Sequence, residues 1–233
     1  MIPFFFPSIV ALSFGPALAL MYFSLARYTY PKVSQPLFDD RWVFGLMAAG
    51  IIVGTIFYYL EVRTLNIAGG IISLILFLLV QELIVLVILN FPRIRKMGAS
   101  RYYGYALGTA VAAGFALGQY GVSLGGKAGV TPEAIAILLL YTFGVELIGG
   151  ATGSIIGYYI EERRIPIGLV TAVILQFVFN LVVLPVFLFR PSTLTALLDA
   201  AGLLISIVVY FYSAKRILPF RPQTYGIARK RVI

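Results

Sequence analysis

Two glutamates, Glu82 and Glu146, stand near the middle of two long apolar stretches, and the chain contains no histidine and no cysteine. The other polar residues at that depth are few: Gln81 beside Glu82, then Gln119, Thr152, Gln176 and Asn180. Any chemistry here must use carboxylates, amides and hydroxyls. The lack of cysteine removes thiolate catalysis, disulfides and iron–sulfur ligation, and the lack of histidine removes the commonest metal ligand. No Lys or Arg lies at a depth comparable with Glu82 or Glu146. An ionised, unpaired carboxylate inside a bilayer costs on the order of several kcal/mol, so both must face a bundle interior and either take up a proton or find partners among amides and hydroxyls. Three roles are open to such a set: a structural polar knot joining the third to sixth apolar segments, a path for protons or cations, or a catalytic centre. Gln176 and Asn180 are four apart and share a helix face.

The elements that hold these residues follow from composition. The chain has 233 residues, 61% hydrophobic and 12% charged, with a mean hydropathy of +0.98. No water-soluble domain of that length needs so little polar surface. Seven apolar runs, near 8–26, 42–60, 67–90, 102–122, 133–160, 166–189 and 194–213, are long enough to cross a hydrocarbon core of about 30 Å as helices. The predicted fold is all-α, a polytopic membrane helix bundle of about seven spans. The first run opens with Met1-Ile-Pro-Phe and lacks the basic flank and small-residue cleavage site of a signal peptide, so it reads as a retained helix. No linker or low-complexity stretch longer than a loop interrupts the chain, which predicts a single integral membrane domain over 1–233 with a basic tail over 214–233.

Orientation follows from the basic residues, because basic loops stay in the cytoplasm. Arg27, Lys32 and Arg41 follow the first run; Arg93, Arg95, Lys96 and Arg101 follow the third; Arg163 and Arg164 follow the fifth; Lys215, Arg216, Arg221, Arg229, Lys230 and Arg231 follow the seventh. The alternate connections hold only Arg63, Lys127 and Arg190. This split predicts an outside N-terminus and a cytoplasmic C-terminus in a multi-pass cell membrane protein. It also accounts for the net charge of +9 without nucleic acid, leaving the lipid bilayer and other integral membrane proteins as the expected partners. Arg229, Lys230 and Arg231 could anchor to anionic headgroups, at about 1 kcal/mol per charge. The absence of Cys and the abundance of Ile and Tyr suggest a thermophilic prokaryote.

Glycine spacing is the next signal. Gly104, Gly108, Gly114 and Gly118 recur in the fourth run, and Gly149, Gly153 and Gly157 in the fifth. Residues four apart share a face, and glycine there lets two backbones approach closely where lipid supplies no hydrophobic drive. The fourth and fifth helices are therefore expected to be central, packed within the chain or, as the alternative, at a dimer face.

The ordered residues over roughly 70–185 resemble the PrsW-type intramembrane proteases, and through them the group that includes the CAAX-processing proteases and the APH-1 subunit of gamma-secretase. The resemblance is carried by Gln81-Glu82-Leu-Ile-Val85, by Tyr103-Gly104 through Gly108 to Gly114-Phe115-Ala116-Leu-Gly-Gln119, by Gly149-Gly-Ala-Thr-Gly153 to Gly157-Tyr158, and by Gln176-Phe-Val-Phe-Asn180. Where the family pattern has glutamate, histidine and lysine, this chain has Gln81, Gln119, Gly149, Gln176 and Val85; only Glu82 and Asn180 remain of the polar set. A hydrolytic metal site needs about three protein ligands and a bound water. Glu146, one turn from Gly149, could replace a lost ligand only in part. The resemblance thus implies the fold and argues against the activity. It implies an APH-1-like scaffold with seven helices, an outside N-terminus and a glycine-rich fourth helix.

The expectation is a non-catalytic accessory or scaffold subunit of a membrane protein complex, without cofactor or bound metal. Glu82, Gln81, Gln119, Glu146, Gln176 and Asn180 would form a vestigial polar centre. An intramembrane metalloprotease-like peptidase with an atypical carboxylate site stays open, as does a small-ion or solute carrier. A carrier needs polar residues along its path, and the outer halves of the second, sixth and seventh segments read as almost devoid of them.

Overall fold

A computed structural model describes residues 2–30, 32–33, 37–68, 71–124, 132–188 and 193–219, with side chains placed over 7–30, 32–33, 37–63, 71–122, 135–184 and 193–219. The basic residues Lys127, Arg190, Arg221, Arg229, Lys230 and Arg231 lie outside the described residues. The described residues are helical, without strands. They form α1 (Ile2–Leu25), α2 (Asp40–Ala68), α3 (Ile71–Leu89), a five-residue α4 (Pro92–Lys96), α5 (Ser100–Leu124), α6 (Pro132–Glu161), α7 (Ile165–Leu188) and α8 (Thr193–Tyr212), which runs on into a π-turn over Ser213–Ile217. Six of them, α1, α2, α3, α6, α7 and α8, are long and apolar enough to cross a membrane.

The fourth of the seven predicted spans corresponds to α5, which is long enough but less apolar. Its sequence is rich in Gly, Ala and Tyr, and nearly every residue from Ser100 to Tyr120 is buried. A helix enclosed by other helices meets protein rather than lipid, so it can exchange large apolar side chains for small ones without losing its place. Its most extensive contacts are with α6 and α2, and α1 packs against it as well.

Glycine makes those contacts close. A Cβ added at Gly104 would lie 2.1 Å from the carbonyl oxygen of Gly153, and one at Gly108 would lie 2.1 Å from that of Gly149. One at Gly157 would lie 2.0 Å from the carbonyl of Ser100. This register makes α5 and α6 antiparallel, backbone against backbone. The opposite side of α5 meets α2 in parallel: Gly54 faces the Val111 carbonyl at 1.9 Å from its added Cβ, and Gly114 faces that of Ile51 at 2.1 Å. Thr55 Oγ1 donates to the Gly114 carbonyl at 3.0 Å across the same seam. Gly50 and Gly54 of α2 thus complete a packing set that the glycines of α5 and α6 only half define.

One end of the bundle gathers the ends of α1, α3, α6 and α8 with the starts of α2, α5 and α7. It carries every described basic residue except Arg63, together with most of the cross-helix polar bonds. Asp39 caps α2 through Oδ1, which accepts the Arg41 N–H at 2.9 Å. Tyr103 Oη accepts the Asp39 N–H at 3.0 Å. Ser24 of α1 bonds Tyr105 Oη of α5 at 2.9 Å and Tyr210 Oη of α8 at 2.8 Å. Ser154 and Ser213 join α6 to the π-turn at 2.5 Å. Arg101, counted above with the loop arginines, is buried. Its Nε donates to Glu161 Oε2 at 2.7 Å, Nη2 reaches the same oxygen, and Nη1 donates to the carbonyls of Ile217 and Pro219 at 3.1 and 3.2 Å. Glu161 Oε1 in turn accepts the Arg101 backbone N–H at 3.0 Å, which places a carboxylate at the N-terminus of α5, where the helix dipole favours it.

The two classes of glycine predict opposite outcomes for one substitution. Gly108→Ala must push α5 from α6 and is expected to destabilise by about 2 kcal/mol or more. Gly45→Ala in α2, where no atom lies within 4 Å of the added Cβ, is expected to be neutral or to stabilise by up to about 1 kcal/mol. Thermal unfolding of the two variants in detergent checks this; equal midpoints would show that the close approach contributes little.

Candidate functional site

The polar residues inside the bundle divide over two faces of α6. On the face toward α3 and α7, Thr152 is the junction. Its Oγ1 lies 3.3 Å from Glu82 Oε1 and 3.2 Å from the Gly149 carbonyl, to either of which it can donate, and it accepts Gln176 Nε2 at 3.3 Å. Asn180 Nδ2 donates to the Gln176 carbonyl at 2.8 Å, one turn back on α7. Glu82, Thr152 and Gln176 are buried, with Glu82 only 2% exposed. Three helices are thereby joined through one hydroxyl. Glu82 Oε2 has no hydrogen-bond partner among the described residues.

Glu146 is elsewhere. It lies four residues before Gly150, on a stripe that meets Thr109 and Tyr105 of α5. Thr142, four residues earlier on this stripe, donates to Tyr120 Oη of α5 at 3.1 Å. Thr152 is six residues further on, about a third of a turn around the helix. Both oxygens of Glu146 and both polar atoms of Gln119 lack hydrogen-bond partners among the described residues, and both residues are buried. The six residues singled out in the sequence therefore do not converge. Glu82, Gln176 and Asn180 are linked through Thr152 and the α7 backbone; Gln81 stands beside them; Gln119 and Glu146 form no hydrogen bond with that set.

Gln81, Gln176 and Asn180 instead share a recess with two residues absent from that list, Glu61 of α2 and Tyr141 of α6. The recess has about 20 Å³ of free space, sufficient for about one water. Ala112 and Phe115 of α5 and Phe179 of α7 complete its walls. Glu61 falls outside the predicted second segment, which stops at 60, whereas α2 continues to Ala68. A second carboxylate, Asp199 of α8, is 1% exposed, with no hydrogen-bond partner for either oxygen among the described residues. The expectation that the outer halves of the second, sixth and seventh segments are nearly devoid of polar groups is thus corrected: Asn180 and Asp199 lie there, and Glu61 follows directly where α2 continues past the predicted segment. Asp199 was legible, since Thr195, Asp199, Gly202 and Ser206 recur every three or four residues and all four are buried on one face of α8.

Among the described residues, no three His, Cys, Asp or Glu side chains come together as metal ligands. Compared with models of known protein families, with curated proteins and with solved structures, the chain matches none of them. The likeness to PrsW and APH-1 rests on the motif residues alone.

Thr152→Val keeps the side-chain shape and removes the hydroxyl, leaving Glu82 Oε1 and Gln176 Nε2 without their shared partner. A loss of about 1 to 3 kcal/mol is expected, with Thr152→Ser restoring most of it. Unfolding midpoints of the three proteins in one detergent decide the matter; a Thr152→Val protein as stable as the parent would mean the junction does not hold the helices.

Proposed function

We propose that the chain is a non-catalytic, seven-span integral membrane protein of PrsW-like and APH-1-like character, serving as an accessory or scaffold subunit of a membrane protein complex. The observation that carries this reading is the separation of Glu82 from Glu146 by the body of α6. Hydrolysis by a metal or an activated water needs its carboxylates and ligands to converge on one reacting atom. Here the first carboxylate is bonded to a structural hydroxyl and the second faces α5. The glycine seams that lock α5 to its neighbours also suit a fixed framework better than a moving one.

Seven spans are supported by the lie of α5. Its 25 residues extend about 37 Å, more than a hydrocarbon core of about 30 Å. It also runs beside α6 in register from Ser100 opposite Gly157 to Gly108 opposite Gly149. The basic residues at the end where α5 begins support a cytoplasmic location for that end and an outside N-terminus. A small-ion or solute carrier is the second reading, favoured by the recess that Glu61, Gln81, Gln176 and Asn180 line.

Topology is open to direct test because the chain has no native cysteine. Arg95→Cys and Lys127→Cys flank α5 and are expected on opposite sides, with only the second labelled by an impermeant maleimide on intact cells. Labelling of both, or of neither until lysis, would mean that α5 does not span.

The scaffold role is tested by purification in mild detergent from native membranes, with co-purifying proteins and bound metal quantified in one sample. A constant stoichiometric partner without metal is expected. A monomer with about one equivalent of metal, lost in Glu82→Gln, would overturn the scaffold role in favour of hydrolytic chemistry.

A further inference from the structure

The recess between α2, α3, α6 and α7 brings five oxygen-bearing side chains from four helices around a space for about one water. These are the carboxylate of Glu61, the amides of Gln81, Gln176 and Asn180, and the phenol of Tyr141. Its composition is unusual for a membrane interior, where polar groups are costly unless paired. The amide nitrogens of Gln176 and Asn180 are engaged elsewhere, with Thr152 and with the α7 backbone. Their oxygens, and the whole amide of Gln81, have no protein hydrogen-bond partner among the described residues. Gln176 itself is only 5% exposed, so bulk water does not complete it. No lysine or arginine lines the space.

A site made only of oxygen donors suits a hard cation. Charge then decides its valence. Glu61 supplies the one carboxylate in the wall; Glu82 does not line the space, and its carboxylate is met on the far side of Gln176 by the Thr152 hydroxyl and the Gln176 amide. One monovalent cation leaves the recess neutral, whereas a divalent cation would leave an uncompensated positive charge within apolar surroundings, which burial strongly disfavours. Size decides further: about 20 Å³ admits a bare ion but not one with its hydration shell. A carboxylate has about four lone-pair sites, so Glu61 can hold a protein donor and a cation together. We propose that this recess binds one dehydrated monovalent cation of sodium size, tying α2 to α3, α6 and α7. The proposal does not rest on either functional reading, since a scaffold and a carrier could each hold such an ion.

The test uses the full chain in detergent, with sodium, potassium or choline chloride as the probe at equal ionic strength. A ligand that binds only the folded state raises the unfolding midpoint with concentration. Sodium is expected to raise it saturably, potassium less, and choline not at all; equal midpoints in sodium and choline would overturn the proposal. Glu61→Gln is expected to abolish the sodium response, and a response that survives it would place the ion elsewhere and likewise overturn the assignment. Should Glu61→Gln fail to fold, equilibrium binding of radioactive sodium to the parent and to Gln81→Met takes its place. About one ion per chain is expected for the parent, with affinity at least tenfold weaker in Gln81→Met; no binding, or equal binding by both, would end the proposal.

Discussion

The close approach of α5 to α6 and α2 is the constraint on which the rest of the bundle depends. Lipid offers helices no hydrophobic gain for leaving it, so association must come from packing and from polar contacts between helices. Glycine at Gly104, Gly108, Gly149 and Gly153 brings α5 and α6 together until their backbones touch, and Gly50, Gly54 and Gly114 do the same for α2. With α5 enclosed in this way, its side chains are released from the demand to be lipid-soluble. Tyr102, Tyr103, Tyr105 and Tyr120 can then lie fully buried along it, and the last three reach polar partners on the loop before α2, on α1 and on α6.

That packing also sets where the polar groups of α6 point. Because Gly149, Gly150 and Gly153 must meet α5, Thr152 turns toward α3 and α7, while Glu146 stays on the α5 side. The register that allows backbone contact thus separates the two glutamates. A single substitution at either glutamate would not bring them together; that would require rotating α6 and giving up the seams on both sides of α5.

Much of the architecture is readable from local pattern. Apolar runs of about 20 residues mark the helices, and the four-residue glycine spacing marks their closest faces, because both effects operate within one element. The remainder depends on what stands across the interface. Arg101 looks like one more cytoplasmic arginine until Glu161 and the turn after α8 close around it. Glu61 looks like a loop residue because hydropathy falls near Arg63, although the helix continues to Ala68. Glu82, Thr152 and Gln176 meet from three helices, and helical spacing within any one segment carries no information about a meeting of three. Asp199 is the opposite case: its stripe with Thr195, Gly202 and Ser206 is a periodic signal in a single helix, masked by the high apolar content around it.

The basic end is the more heavily bonded of the two, although Asn90 Oδ1, Ser100 Oγ and Tyr102 Oη there lack hydrogen-bond partners among the described residues. At the basic end, Ser24, Tyr105, Tyr210, Arg101, Glu161, Ser154 and Ser213 hold α1, α5, α6 and α8 by direct hydrogen bonds. From mid-bundle toward the other end lie the unpartnered carboxylate oxygens of Glu146 and Asp199, together with the recess at Glu61. A buried polar group left unpaired costs about 1 to 3 kcal/mol, and more when charged. Several such groups in one region would threaten a bundle that relied on them for cohesion. This one does not, because glycine contact and the bonds of the basic end hold the helices independently. The interior near the other end can therefore keep polar atoms free for a proton, a water or an ion without loosening the fold.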